Sequence, residues 1–140
     1  QWPRKRDLSK PFPGMERKKI ELEFIFRASP TIIYNFLTAP ACLVRWFCDA
    51  VDINGIEYAF SWNESIETAN LTEDIEEEKV RFEWVDKDEG EFLEFRLSSS
   101  PVTGETIMDI TDFCDSDEVD DYMSLWESQM RNLRKETGDA

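Results

Sequence analysis

The chain has 140 residues, enough to build one domain with a sizeable core, and its hydrophobic content of 41% argues against disorder. It carries a net charge of −15, contains no histidine, and has three cysteines without C-x-x-C spacing. These features exclude zinc-finger patterns, histidine-based metal sites and histidine-assisted nucleophiles. The acidic charge also argues against nucleic acid as a partner, because phosphate backbones would be repelled.

The lengths of the apolar runs and the unpaired cysteines indicate the cellular compartment of the protein. No apolar run approaches the roughly 20 residues that a membrane-spanning helix needs, and no signal-peptide pattern is present. Unpaired cysteines are typical of a reducing environment. We therefore expect a cytoplasmic protein without a membrane span and without a metal or other cofactor.

Residues 1–14 differ in composition from the rest of the chain. They hold four basic residues, one acidic residue and three prolines, without helical or strand periodicity. The remaining residues therefore carry a charge of −18. We interpret residues 1–14 as a flexible basic tail, a vector-derived remnant or an upstream extension, and residues 15–140 as the folded domain.

The folded part begins with a strand followed by a helical insert. Apolar side chains alternate along residues 19–27, which predicts a strand. Ser29 supplies a helix N-cap and Pro30 suits the first helical position. Pro40 then begins a second short helix, on which Trp46 shares an apolar face with its neighbours. An insert of this kind between strands suits an antiparallel sheet.

The middle of the chain is a series of predicted hairpins. Asn54-Gly55 is the strongest turn signal, because this pair favours the positive φ angles of two-residue hairpin loops. Turn residues recur at hairpin spacing up to residue 114, which gives seven strands in total. The six that follow the insert cover residues 49–53, 56–62, 65–75, 79–85, 91–98 and 105–114.

A long amphipathic helix closes the chain. Asp115 followed by Glu118 fits a capping box, with Asp115 as the N-cap residue. Apolar residues then recur at helical spacing over about four turns. The stripe consists of Val119, Tyr122, Met123, Trp126, Met130 and Leu133.

Four segments together resemble the START-like (SRPBCC, helix-grip) superfamily. They are the Ser29-Pro30 opening of the first helix, residues 43–47 and 78–84, and Thr111-Asp112-Phe113 ahead of the closing helix. The closest branch is similar to the C-terminal domain of the activator of a heat-shock-protein ATPase, and the chain looks like a small Bacteroidetes START-like protein. The resemblance implies an α+β helix-grip fold, in which a seven-stranded antiparallel sheet wraps around the long C-terminal helix, with two short helices after strand 1. An apolar cavity between sheet and helix is common in such proteins.

Six aromatic residues are the candidates for lining such a cavity. They can hold a flat or greasy ligand, or they can fill the space as a solid core, because each buries a large area. Both alternatives remain open from the sequence. The six are Trp46, Trp62, Trp84, Phe95, Tyr122 and Trp126.

Two carboxylates are candidates for polar groups inside the cavity. Strand alternation places Glu67 in phase with Ala69, and Asp109 in phase with Ile107. A carboxyl group that faces inward could act as an acid or base. In a chain this acidic, each could equally be a solvated surface residue.

Three functional classes follow. The first is a non-catalytic domain that binds a small hydrophobic molecule, lipid-like or aromatic, between the sheet and the closing helix. The second is a co-chaperone-like interaction module, whose acidic surface would take a protein partner with a basic surface. A cyclase- or hydrolase-type enzyme is the third class. Either a monomer or a homodimer is compatible with the pattern, because an exposed edge strand could pair with a second copy.

Overall fold

The computed structural model describes residues 16–86 and 90–138. The elements follow the predicted order of one strand, two short helices, six strands and a long helix. They are β1 Arg17–Phe26, α1 Pro30–Thr38, α2 Pro40–Trp46, β2 Ala50–Asn54, β3 Glu57–Trp62, β4 Ser65–Ile75, β5 Lys79–Trp84, β6 Leu93–Ser99, β7 Thr106–Asp115 and α3 Val119–Glu136. The predicted helix-grip class is therefore confirmed. The expected tail, residues 1–14, lies outside the described residues.

The seven strands form one antiparallel sheet in the order β1-β7-β6-β5-β4-β3-β2. Every neighbouring pair is antiparallel, and the chain passes from β2 to β7 through consecutive hairpins. The first strand, β1, pairs with the last one, β7. Within the described chain, β1 and β2 are consequently the two edges.

The first hairpin differs from the prediction by one residue. Asn54 is still paired, opposite Glu57, so the two-residue turn consists of Gly55 and Ile56. Gly55 has φ +65°, and a glycine at the first turn position adopts this angle without steric cost.

The concave face of the sheet carries the core because strand residues alternate between the two faces. On β3, Tyr58, Phe60 and Trp62 are buried and alternate with more exposed residues. Residues of α3 cover this face, and Trp126 is fully buried with its ring centroid 5.8 Å from that of Phe95. The predicted stripe is confirmed by the burial of Tyr122, Trp126, Met130 and Leu133.

The predicted capping box at the start of the closing helix is wrong. Residues 116–118 form a short 3₁₀ turn, and α3 begins at Val119. Asp115 makes no side-chain cap because its carboxylate instead accepts a hydrogen bond from Arg17 Nη1 at 2.9 Å. A charged partner on the neighbouring strand has taken the acceptor that a cap would use.

The helical insert begins as predicted. Ser29 Oγ accepts from the N–H of Ile32 at 3.3 Å, and prolines occupy the first turns of both α1 and α2. Trp46 Nε1 donates to the carbonyl of Phe36 at 2.8 Å, which ties α2 to α1. Tyr58 Oη donates to the carbonyl of Thr38 at 3.1 Å and ties α1 to the sheet.

Candidate functional site

A cleft of about 490 Å³ opens where α2 and α3 meet the end of β3. We refer to it as the α2–α3 cleft. Its walls come from the end of α2 and the loop that follows, from the β3–β4 turn, and from two positions of α3. The lining residues are Val44, Arg45, Trp46, Phe47, Cys48, Asp49, Trp62, Asn63, Leu125 and Gln129.

The aromatic wall of the cleft is fixed by hydrogen bonds at the edges of its indoles. Trp62 Nε1 donates to the carbonyl of Phe47 at 2.6 Å, and the indole of Trp46 is bonded to Phe36. The rings of Phe47 and Trp62 meet at 71° with centroids 5.4 Å apart, an edge-to-face arrangement. Because both indole N–H groups already have acceptors, this wall offers apolar contact and little hydrogen-bonding capacity.

The polar groups of the cleft lie at its rim. Asp49 Oδ2 accepts from the backbone N–H of Asn63 at 2.7 Å, which fixes the β3–β4 turn. Arg45 lies 3.5 Å from Glu136, and its side chain is 62% exposed. An exposed ion pair of this length is weak, so the guanidinium remains available to other acceptors. The rim can therefore orient a polar end of a bound molecule.

Cys48 places a thiol, which is a nucleophilic group, in the cleft, but this thiol is not activated. Burial, and secondarily the nearby Asp49 carboxylate, raise the pKa of its thiol to about 12. The sulfur also lies 3.8 Å from the carbonyl of Leu43. Since the thiolate is the reactive form, this cysteine is a poor nucleophile at neutral pH.

The structure divides the six predicted aromatics between the cleft and the core. Trp46 and Trp62 line the α2–α3 cleft, whereas Trp84, Phe95, Tyr122 and Trp126 are buried away from its walls. Phe95 stands edge-on to both Trp46 and Trp126, with centroids 6.4 and 5.8 Å away. Phe95 therefore packs directly between Trp46 and Trp126.

The sequence did not single out most of the cleft. Leu125 and Gln129 lie beside the apolar stripe of α3, so periodicity assigns them to neither face. Phe47 was expected only to share a face with Trp46. Asn63 carried a usable signal, because asparagine tolerates the positive φ of a tight turn and has φ +51° here, but a turn does not predict a cleft.

The structure buries one of the two carboxylate candidates and exposes the other. Glu67 on β4 is buried, with Oε2 enclosed by protein, and it faces the same side as Ala69. Asp109 on β7 is exposed, while its neighbours Met108 and Ile110 are fully buried. The expectation of an inward carboxylate is therefore wrong for Asp109. Neither residue lines the α2–α3 cleft.

A second group of polar residues lies where β1 begins and β7 ends. The Arg17 guanidinium donates to Glu91 at 2.7 and 2.9 Å and to Asp115 at 2.9 Å. The hydrogen bond with Glu91 has the largest effect on the pKa of Arg17 and raises it. Burial lowers this pKa, and the hydrogen bond with Asp115 raises it further, so the pKa stays above its usual range. Nearby, Trp126 Nε1 donates to Asp112 Oδ2 at 3.0 Å.

Carboxylate oxygens of Asp115, Asp117 and Glu118 lie within 4.8 Å of one another. Such a set can hold a cation. Here, however, Asp115 is already paired with Arg17, and Asp117 is exposed on the 3₁₀ turn. Acidic groups at this spacing need no ion, and the described residues give no second sign of one. Among the described residues, no helix is both long and apolar enough to cross a membrane.

A family model described as the START-like superfamily domain matches residues 14–139. The chain belongs to the START-like superfamily. No curated protein matches it. Among solved structures, this START-like chain is similar to the protein BfR322 of Bacteroides fragilis, with 31% identity and a TM-score of 0.64. That match covers 86% of this chain and 91% of BfR322.

Two further structures share the START-like fold at lower identity. The Aha1 dimer of Colwellia psychrerythraea has 20% identity and a TM-score of 0.74, and the match covers 86% of this chain and 96% of that one. DynU16, a protein of the dynemicin biosynthetic locus, has 14% identity and a TM-score of 0.69. This match covers 86% of the chain and only 48% of DynU16. At these identities the likeness concerns the fold alone.

Proposed function

We propose that this protein is a non-catalytic START-like domain that binds a small hydrophobic molecule, lipid-like or aromatic, in the α2–α3 cleft. The observation that carries the proposal is the cleft itself. Its volume of about 490 Å³ lies within the range of roughly 300–1,000 Å³ typical of small-molecule sites. The lining combines aromatic and aliphatic side chains with Arg45, Asp49, Asn63 and Gln129, so it offers both apolar and polar contacts.

The geometry further restricts how a ligand would bind. The apolar body would lie against Trp62 and Phe47 on one side and against Leu125 on the other. A polar end would remain at the rim beside Arg45 or Gln129, where water still reaches it. This arrangement differs from a ligand enclosed between Phe95 and Trp126, because those rings already contact each other.

The test is native mass spectrometry of the full chain purified without added ligand, followed by titration with two probes. A fatty acid represents the lipid-like class and an anilinonaphthalene sulfonate dye the aromatic class. Leu125→Trp would fill the cleft from α3. Ser124→Trp is the matched control, because Ser124 is the exposed neighbour on the same helix.

We expect the wild type and Ser124→Trp to bind at least one probe with similar affinity, and Leu125→Trp to lose at least roughly tenfold, about 1.4 kcal/mol. Equal binding by all three proteins would place the ligand outside the cleft. Failure of the wild type to bind either probe, with no co-purified molecule, would contradict the binder proposal as a whole.

A second candidate is an interaction module that uses the acidic surface. The observation favouring it is the turn between β4 and β5, where Glu76, Glu77 and Glu78 are exposed in succession. The net charge of −15 would steer a basic partner toward this turn. The Colwellia Aha1 dimer is similar to this chain in fold alone, so it gives the interaction candidate no support beyond the shared fold.

A lysine-rich peptide is a suitable probe for this candidate. The interaction hypothesis predicts that its affinity falls steeply with salt and falls further when the three turn glutamates become glutamines. The matched control neutralises three exposed carboxylates of α3, at Asp120, Asp121 and Glu127. Salt-insensitive binding, or equal losses in the two triple variants, would count against a specific acidic site.

The finer relationships of the chain are also proposals. The 31% identity to BfR322 supports placing it with the small Bacteroidetes START-like proteins, ahead of the Aha1 branch at 20%. The three free cysteines support a reducing, cytoplasmic location.

A further inference from the structure

The outer edge of β1 has a row of backbone groups that face away from the sheet. The carbonyl of Glu16 accepts from the N–H of Ser116, next to β7, so the even-numbered backbone groups face β7. The carbonyl of Ile25 instead accepts from Arg134, at 3.2 Å from Nη2. Because residues two apart point the same way, the N–H and C=O groups of odd-numbered residues face outward. Within the described chain, no strand lies on that side of β1.

Arg134 limits the part of this edge that is open. Its guanidinium covers the carbonyl of Ile25, near the end of β1. Among the described residues, β1 continues from there back to Arg17, and Ile20 lies midway between residues 17 and 23. A strand added to this edge would therefore be about seven residues long, within the normal range for strands.

The charge of β1 is unusual for this molecule. The strand carries three cations and two anions, whereas the whole chain carries −15. Two copies of so acidic a protein repel each other over most of their surfaces. Their β1 strands carry a small net positive charge, so this repulsion is weakest there.

The order of these charges is self-complementary in one register. If two β1 strands pair antiparallel about Ile20, Lys19 of each copy lies opposite Glu21 of the other. Arg17 then lies opposite Glu23, although its guanidinium is already held by Glu91, and Lys19 Nζ already lies 3.5 Å from Glu21 Oε1 of its own strand. Opposite charges that face each other across two strands stabilise the pairing, and like charges destabilise it.

The neighbouring registers are worse. Pairing about Glu21 places this residue opposite Glu21 of the second chain. Pairing about Lys19 places Lys19 opposite Lys19 in the same way. Pairing about Leu22 sets Glu21 against Glu23. Charge therefore selects the register centred on Ile20.

We propose that the outer edge of β1 is a homodimer interface, formed by antiparallel pairing of residues 17–23 about Ile20, with Lys19 of each copy opposite Glu21 of the other. The pairing joins the two sheets into one and leaves the α2–α3 cleft, which contains no β1 residue, open in both copies. It is independent of the function proposed above.

Sedimentation equilibrium of the full chain, up to millimolar concentration, tests the interface. Glu21→Lys turns both attractive pairs into repulsive ones, so we expect the dissociation constant to rise roughly tenfold or more. The double variant Lys19→Glu with Glu21→Lys exchanges the two charges and should restore the wild-type constant. In the registers about Lys19 or Glu21, the exchange still leaves like charges opposed.

Glu83→Lys is the matched control, since Glu83 is exposed on β5 inside the sheet. It changes the net charge by the same amount as Glu21→Lys and should leave association unchanged or slightly stronger. A wild type that stays monomeric at every concentration would overturn the proposal. The β1 charges would then serve to protect the edge from pairing. Equal effects of Glu21→Lys and Glu83→Lys, or no recovery in the double variant, would overturn it as well.

Discussion

Replacing Glu94 by glutamine should destabilise the fold at neutral pH, and the structure predicts by how much. Glu94 lies on the convex face of the sheet and is only 3% exposed. Its Oε1 accepts from Arg81, with Nε and Nη2 both at 2.8 Å, and its Oε2 accepts from Arg96 Nε at 2.7 Å. Lys79 Nζ lies 3.6 Å from Oε1.

The expected cost comes mainly from Arg81. A hydrogen bond to a charged group contributes about 1.5–3 kcal/mol, and the Arg81 side chain is 26% exposed, so solvent screens it only in part. Arg96 is 59% exposed and adds at most about 1 kcal/mol. Arg81 keeps Glu73 as a second partner, with Nε 2.9 Å from Oε2. We therefore expect a loss of about 2–3 kcal/mol of unfolding free energy.

The loss should depend on pH in a defined direction. Burial alone would raise the pKa of Glu94, but the hydrogen bonds from Arg96 and Arg81 outweigh burial and hold the pKa below its ordinary value of 4.5. A depressed folded pKa means that the carboxylate stabilises the protein above the unfolded pKa. That contribution disappears as the pH falls through the folded pKa. The gap between wild type and Glu94→Gln should therefore narrow in acid.

Urea unfolding at pH 7 and again below pH 4 measures this gap. Glu83→Gln is the control, because this carboxylate is exposed and should change stability by less than about 0.5 kcal/mol. A gap of the same size at both pH values would refute the assigned ion pairs, as would a neutral-pH loss no larger than that of the control.

Two further predictions use the buried groups. Trp126→Phe removes the indole donor to Asp112 and leaves a small void, so urea unfolding should show a loss of about 2–4 kcal/mol; a loss below about 1 kcal/mol would deny that this contact matters. Burial raises the pKa of Cys48 to about 12 and that of Cys114 to about 11. Alkylation at pH 8 followed by mass spectrometry should therefore label the partly exposed Cys42 first, and the other two only after unfolding. Equal labelling rates in the folded protein would contradict this ordering.

The local pattern of the sequence was sufficient for the elements and their order. Strand alternation put Phe60 and Phe95 on the inward face of the sheet, and helical spacing put Trp126 on the inward face of α3, and all three are buried. Ser29 and Pro30 marked the start of α1 at the right residue. These signals succeed because they depend on neighbours within a few positions, where backbone geometry dictates which side chains share a face.

The sequence could not place the carboxylates. Asp115 looked like a helix cap, and Asp109 looked as eligible for the interior as Glu67. Their actual positions follow from register: Asp115 lies opposite Arg17 on β1, and Asp109 falls on the convex face of β7. Apolar side chains occur in both phases of β7, at Ile107 as well as at Met108 and Ile110, so alternation alone did not decide which face Asp109 would take.

By itself, then, the sequence determined the elements and their order, namely seven strands, a helical insert and a closing amphipathic helix, from patterns among near neighbours, while the helix-grip arrangement of these elements was implied by the family resemblance. The tertiary structure alone decided where the open space lies and which charges meet. Arg17 reaches Glu91 and Asp115 across 74 and 98 residues of chain, and the cleft joins α2, the β3–β4 turn and α3. The physical reason is that aromatics fill a core or line a cleft according to how distant elements pack, and the periodicity of the sequence is the same in both cases.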